Sequence, residues 1–240
     1  MADEFPLILL SKLGLPELAR SFSAYLESSE DVILFREQSR QHVEVSFCGV
    51  RFSCKLGIVK EGLPDAKQVM LNSNMAESTT TISIGFSGLV DSALPILPLV
   101  KSMLELASKF AASLPITAVL WVPANIASGP KFFRNSVDDF IAGGAFPSLA
   151  LVRFNSAEGS ILRTNGLAWF SNQEVEFDTS DMDENEAIRR LVRIIHDIVE
   201  NGAMAENIEV AGLDAGERLS LSVSAEEGVV RVRQTSRVDI

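Results

Sequence analysis

Between Val43 and Leu56 the apolar residues recur at every second position, Val43, Val45 and Phe47 before Gly49, then Phe52, Cys54 and Leu56 after it. Alternation of this kind is the mark of a strand with one buried face. Its reversal within a few residues commits this part of the chain to an antiparallel hairpin over a core. A turn at Gly49-Val50, with glycine supplying the positive φ of a type II′ first position, sets Phe47 opposite Phe52, Val45 opposite Cys54 and Val43 beside Leu56. On the other face it sets Glu44 against Lys55 and Ser46 against Ser53. Cys48 and Cys54 then point to opposite faces. A disulfide or half a metal site is therefore disfavoured, and Cys54 reads as a small core hydrophobe.

The rest of the chain alternates strands with helices. The predicted strands are Phe5 to Ser11, Asp31 to Arg36, Thr79 to Gly85, Ile116 to Val122, Ser148 to Asn155, Ile161 to Phe170 and Glu174 to Asp178. Short strands follow at Ile208 to Val210, Leu219 to Val223 and Val229 to Val232. Helices are predicted from Pro16 to Glu27, from Pro64 to about Leu71, within Asp91 to Leu114 with its regular part from Pro98, and from Pro130 up to Gly143-Gly144. Asp183 to Asn201 is the best-specified helix: Ile188, Leu191, Val192, Ile195, Ile198 and Val199 follow helical spacing, acids crowd its first turn, and Gly202 closes it.

This order implies an α+β fold, a mostly antiparallel sheet with helices packed on one side. The succession β-α-β-β-β-α-β occurs over 5–90 and again over 116–212, with the helix at 91–115 between them. One reading is a single domain over 1–240 made of two tandem ferredoxin-like halves, and the alternative is one merged sheet.

Lys and Arg number 21 against 32 Asp and Glu, a formal charge of −11. That balance opposes nucleic-acid backbones and anionic lipid, and suits a basic protein partner. The start, Met1-Ala2-Asp3-Glu4, has no basic region before the apolar Phe5 to Leu10. The apolar stretch Ser92 to Val122 is broken by Pro95, Pro98, Pro115, Lys101, Glu105 and Lys109. It falls short of the ~18 uninterrupted apolar residues of a membrane span. A cytoplasmic location is expected.

Candidate chemistry is sparse. Glu174 and Glu176 alternate with Val175 and Phe177, so both carboxylates leave the same strand face, roughly 7 Å apart, close enough for an acid/base pair or a shared cation. An ordinary solvated face explains the same alternation. His196 lies on its helix with Arg189, Arg193 and Glu200, away from the apolar stripe. His42 begins a hairpin strand on the polar side, and acts as a base only if the fold brings it a nucleophile. Gly85-Phe86-Ser87-Gly88 approaches a nucleophile elbow, but Leu89 stands where the final glycine belongs. Trp121 and Trp169 sit in apolar runs and read as core. No sequence pattern specifies a metal or cofactor.

The segment Thr164 to Phe177 carries Thr164, Gly166, Leu167, Phe170, Glu174 and Glu176 in a Thr-x-Gly-Leu, Phe, Glu-x-Glu order. It resembles the bacterial family numbered 4261 in the domain-of-unknown-function series. Asn165 stands where that family has an aromatic residue and Ser171 where it has glycine. Leu7 to Leu10, Ala118 to Trp121, and Pro130 with Phe132-Phe133 resemble its opening strand, central strand and following helix start. The resemblance implies a bacterial protein and brings no catalytic residues with it. Together these readings point to a non-enzymatic protein that binds another protein in an accessory or immunity-like role. The alternative is a small hydrolase or metal-dependent enzyme built on Glu174 and Glu176, with His196.

Overall fold

The computed structural model describes residues 5–59, 66–72, 74–88 and 96–236. The chain divides into two compact units, residues 1–150 and 151–240, each with its own sheet.

The first unit contains β1 (Leu7–Ser11), α1 (Leu15–Ser28), β2 (Ile33–Ser39), β3 (His42–Phe47), β4 (Val50–Ile58), β5 (Lys67–Val69), β6 (Thr80–Phe86), α2 (Leu97–Ser113), β7 (Ile116–Trp121), β8 (Ile126–Ser128) and α3 (Pro130–Ile141). Its eight strands lie in the order β2-β3-β4-β6-β1-β7-β8-β5, antiparallel except for the β5–β8 pair. Residues in register across such a sheet share a face. One row runs Val43, Cys54, Ile84, Leu7, Trp121, Ile126, and the next Leu56, Ile82, Leu9, Val119. All ten side chains are buried. α2 packs against β1, β4, β6 and β7. Its Phe110 ring meets Phe22 and Tyr25 of α1 edge-on at 5.3 and 5.4 Å. On the opposite face Leu10, Ala118, Leu120 and Ala127 form a second, smaller core with Ala66 and Met75.

The hairpin keeps the expected faces but shifts its register by two residues. Phe47 pairs with Val50 and Val45 with Phe52, so Cys48-Gly49 is the turn. Both turn residues have positive φ, 49° and 76°, as a type I′ turn requires. A shift of two preserves parity, so Val43, Val45, Phe47, Phe52, Cys54 and Leu56 stay buried while every cross-strand partner changes. Cys48 is exposed in the turn and Cys54 is buried, both as free thiols.

The described part of the stretch expected to be helical from Pro64 to Leu71 includes strand β5, paired in parallel with β8. Beside it, a Cβ on Gly129 would come within 2.1 Å of the Met70 carbonyl oxygen, so glycine is needed for this close approach. Asp91 to Pro95, Leu89 and Pro64 lie outside the described residues. Ile116 to Trp121, where the second pseudo-repeat was expected to open, is hydrogen-bonded beside β1 in this first sheet.

A single turn, α4 (Ser148–Leu151), replaces the start of the strand expected from Ser148. The second unit contains β9 (Arg153–Ala157), β10 (Ile161–Asn165), α5 (Ala168–Ser171), β11 (Glu174–Asp178), α6 (Glu184–Asn201), β12 (Ile208–Ala211), β13 (Arg218–Ser224) and β14 (Val229–Ser236). Its strand order is β12-β13-β14-β11-β10-β9, with β11 and β14 parallel at the centre. Asp183 caps α6 by accepting the Glu186 N–H at 2.9 Å, and Gly202 ends it at φ 91°. Leu191, Ile194, Ile195 and Ile198 of α6 are buried, as are Val175 and Phe177 of β11, against which the helix packs. The strand expected to run to Phe170 ends at Asn165, because Gly166 turns the chain at φ 92° and Trp169 and Phe170 belong to α5.

Candidate functional site

Glu174 and Glu176 share the face of β11 opposite Val175 and Phe177, each half-buried. Their surroundings differ. The Glu174 carboxylate accepts three hydrogen bonds, from Thr164 Oγ1 at 2.6 Å, Gly166 N at 2.8 Å and Ala168 N at 3.1 Å. Thr164 Oγ1 in turn accepts the Val175 N–H at 2.7 Å. The Glu174 side chain therefore serves as the hydrogen-bond acceptor for the Gly166 turn and the start of α5, whose N–H groups would otherwise have no strand partner.

Glu176 lies in a cross-strand row with Arg163 on β10 and Arg231 on β14. Arg163 Nη1 stands 3.5 Å from one carboxylate oxygen and Arg231 Nε 3.3 Å from the other. Arg231 also pairs with Glu227. Two residues on, on the same strand face, Asp178 accepts from the Ser180 hydroxyl and backbone N–H, which hold its carboxyl below the usual range. The two glutamates thus share a face without sharing a ligand. Among the described residues no group of three or more His, Cys, Asp or Glu is placed to hold a metal ion.

His196 is half-buried on α6, next to the buried Ile194-Ile195 pair. Since α6 packs on the Val175 and Phe177 side of β11, His196 and the two carboxylates lie on opposite sides of that strand. The three candidates do not converge. His42, in contrast, does receive a hydroxyl: its Nε2 lies 2.6 Å from Ser53 Oγ across the β3–β4 ladder.

Among the described residues the most deeply buried charges belong to two residues that the sequence reading did not single out. Arg190 and Glu217 are 4% and 2% exposed. Arg190 Nε donates to Glu217 Oε1 at 2.6 Å, Nη2 to Asp214 Oδ2 at 2.6 Å, and Nη1 to the Glu186 carbonyl at 3.1 Å. The second Glu217 oxygen accepts from Leu213 N at 2.7 Å and Asp214 N at 3.1 Å. Burial pushes the Glu217 carboxyl up, but Arg190 and the backbone donors outweigh it and hold the group below the usual range. Burial likewise lowers the Arg190 guanidinium, and its hydrogen bonds and carboxylate neighbours reverse the effect. A depression of about 80 Å³ beside this network is lined by Arg193, Asp197, Gly212 and Leu213, among others, with space for only a few waters. One signal was present in the sequence: Arg190 sits three residues after Ala187 and four before Ile194, on the side of α6 that is buried.

Gln173 was also missed. Its amide donates to the Met204 carbonyl and accepts the Met204 N–H, both at 2.8 Å, joining the entry of β11 to the chain after α6.

Among the described residues no helix is long and apolar enough to cross a membrane. No family model, curated protein or solved structure matches the chain. The class defined by fold and geometry is an α+β protein with two mostly antiparallel sheets, whose candidate carboxylates are engaged by their own neighbours.

Proposed function

We propose that this chain works by binding another protein, in an accessory or immunity-like role in the bacterial cytoplasm, and not by catalysis. The observation that carries this reading is the engagement of the one paired-carboxylate motif. Glu174 is occupied by three donors of its own turn and Glu176 by two guanidinium groups. Carboxylate oxygens taken up by their own turn and by neighbouring guanidinium groups are not placed to reach a substrate proton. The formal charge of −11 favours a basic partner through steering and complementarity. Membership of the family resembled by Thr164 to Phe177 belongs to the same proposal. The test is affinity capture from the native host, followed by titration of the purified captured protein. Saturable, salt-weakened binding of one basic protein supports the reading. Recovery of abundant background proteins alone overturns it.

A hydrolase is the second reading, and the His42–Ser53 contact favours it. There Ser53 Oγ would attack an acyl carbonyl while His42 Nε2 takes its proton. Fluorophosphonate labelling of Ser53, lost in His42→Ala, supports it. An unlabelled native protein removes it.

A further inference from the structure

We infer that the N-terminus of α3 is an anion site that takes a phosphate group, held by the Lys131 and Phe132 N–H groups, the Ser128 hydroxyl and the Arg134 guanidinium. Ser128-Gly129-Pro130-Lys131 leads from β8 into this helix of 12 residues. Pro130 has no N–H, and the first amide of the helix to find a carbonyl is that of Phe133, which donates to Gly129 at 2.9 Å. The Lys131 and Phe132 N–H groups have no backbone acceptor among the described residues, and Gly129 has no side chain to cap them. Packing enforces the gap. Gly129 N–H donates to the Val69 carbonyl at 3.0 Å, and a Cβ at this position would stand 2.1 Å from the Met70 carbonyl oxygen. The Ser, Thr, Asp or Asn that usually caps a helix is therefore excluded here.

Two polar side chains beside these amides are withdrawn from water without a partner, which a helix start alone does not explain. Ser128 is 1% exposed, and its Oγ makes no hydrogen bond. In register with Val119 and Val69, it faces the side of the sheet on which α2 and α3 pack. Arg134 lies one turn into α3. Helical side chains lean towards the N-terminus, so its guanidinium is carried back over Pro130 and Lys131. Its Nε is buried with no acceptor, and Arg134 forms no ion pair among the described residues. Asp138, one turn further on, is taken by the Ser108 hydroxyl at 2.9 Å.

This end of α3 thus carries unpaired donors of three kinds, an amide pair, a hydroxyl and a guanidinium, with the exposed Lys131 at the rim. Buried donors left unpaired are costly, and an oxyanion supplies acceptors where the helix dipole already favours negative charge. The donors come from the helix, from the end of β8 and from the Arg134 fork. A phosphate group offers them three oxygens, where a carboxylate offers two. The formal charge of −11 repels anions at long range, which salt screens, whereas these donors act at contact distance. The site is independent of the protein partner proposed above.

Calorimetric titration of the full chain with inorganic phosphate and with glycerol phosphate, read beside backbone amide NMR, tests it. Saturable binding is expected, with the Lys131 and Phe132 amide resonances moving as the site fills. Arg134→Gln weakens binding about tenfold or more, as for loss of a hydrogen bond to a charged group, and Ser128→Ala weakens it by a smaller factor. Arg20→Gln, at an exposed arginine on α1, leaves it unchanged. Tighter binding of glycerol phosphate assigns the site to a phosphomonoester, and tighter binding of inorganic phosphate assigns it to the free ion. Absence of saturable binding of either compound overturns the inference. So does binding that leaves both amide resonances in place in the wild type, or that is as strong in folded Arg134→Gln.

Discussion

Arg190 and Glu217, 27 residues apart in the chain, meet through a 2.6 Å contact with both side chains withdrawn from solvent. Removing one member of such a pair strands the other charge. Glu217→Ala is expected to lower the unfolding free energy by about 3–5 kcal/mol, measured by urea denaturation. Asp214→Ala, which removes the partner that is 55% exposed, costs under about 1 kcal/mol.

The same pair makes stability depend on acid. The folded Glu217 carboxyl is held below its unfolded value of about 4.3, so its contribution is complete above that pH and is lost as pH falls through the folded pKa. Thermal midpoints of the wild type therefore drop below about pH 4. In Glu217→Gln, which has no proton to gain at this position, that part of the decline is missing. Equal slopes in the two proteins would contradict the assignment.

The two glutamates of β11 should separate in the same assay. Glu174→Ala leaves the Gly166 and Ala168 N–H groups without their acceptor and is expected to cost about 1–3 kcal/mol. Glu176→Ala removes half-exposed ion pairs and is expected to cost under about 1 kcal/mol.

The thiols report the register of the hairpin. Cys48 in the turn should react with a disulfide reagent in the native protein, slowed because burial of its sulfur and the nearby Glu105 raise its pKa. Cys54, whose pKa burial raises far more, should react only on unfolding. Cys48→Asn places Asn-Gly in a type I′ turn and should stabilise the protein by roughly 0.5 kcal/mol, because Asn tolerates positive φ.

Much of the fold was legible because its elements obey simple periods. Val43 to Leu56 alternated, and the buried face followed even though the turn fell one residue early. Register escaped because a type I′ turn needed positive φ at Cys48, a residue with no preference for it. The stretch from Ile161 to Phe170 was overextended because its apolar composition suited both β10 and α5, and only Gly166 marked the break. Glu174 and Glu176 were correctly placed on one face. Their roles depended on Gly166, Arg163 and Arg231, and a strand pattern does not name its neighbours. Arg190 and Glu217 were invisible as a pair, since each is an ordinary polar residue until α6 and the turn before β13 are packed together.

The most direct measurement of the binding role is calorimetric titration of the purified captured protein into wild type and into Glu174→Gln/Glu176→Gln, with both proteins also assayed for ester and phosphoester hydrolysis. The expected result is saturable, salt-sensitive binding by both folded proteins, with no turnover by either. Turnover by the wild type that disappears in the double variant, with the fold intact, would contradict the role assigned here to the two carboxylates.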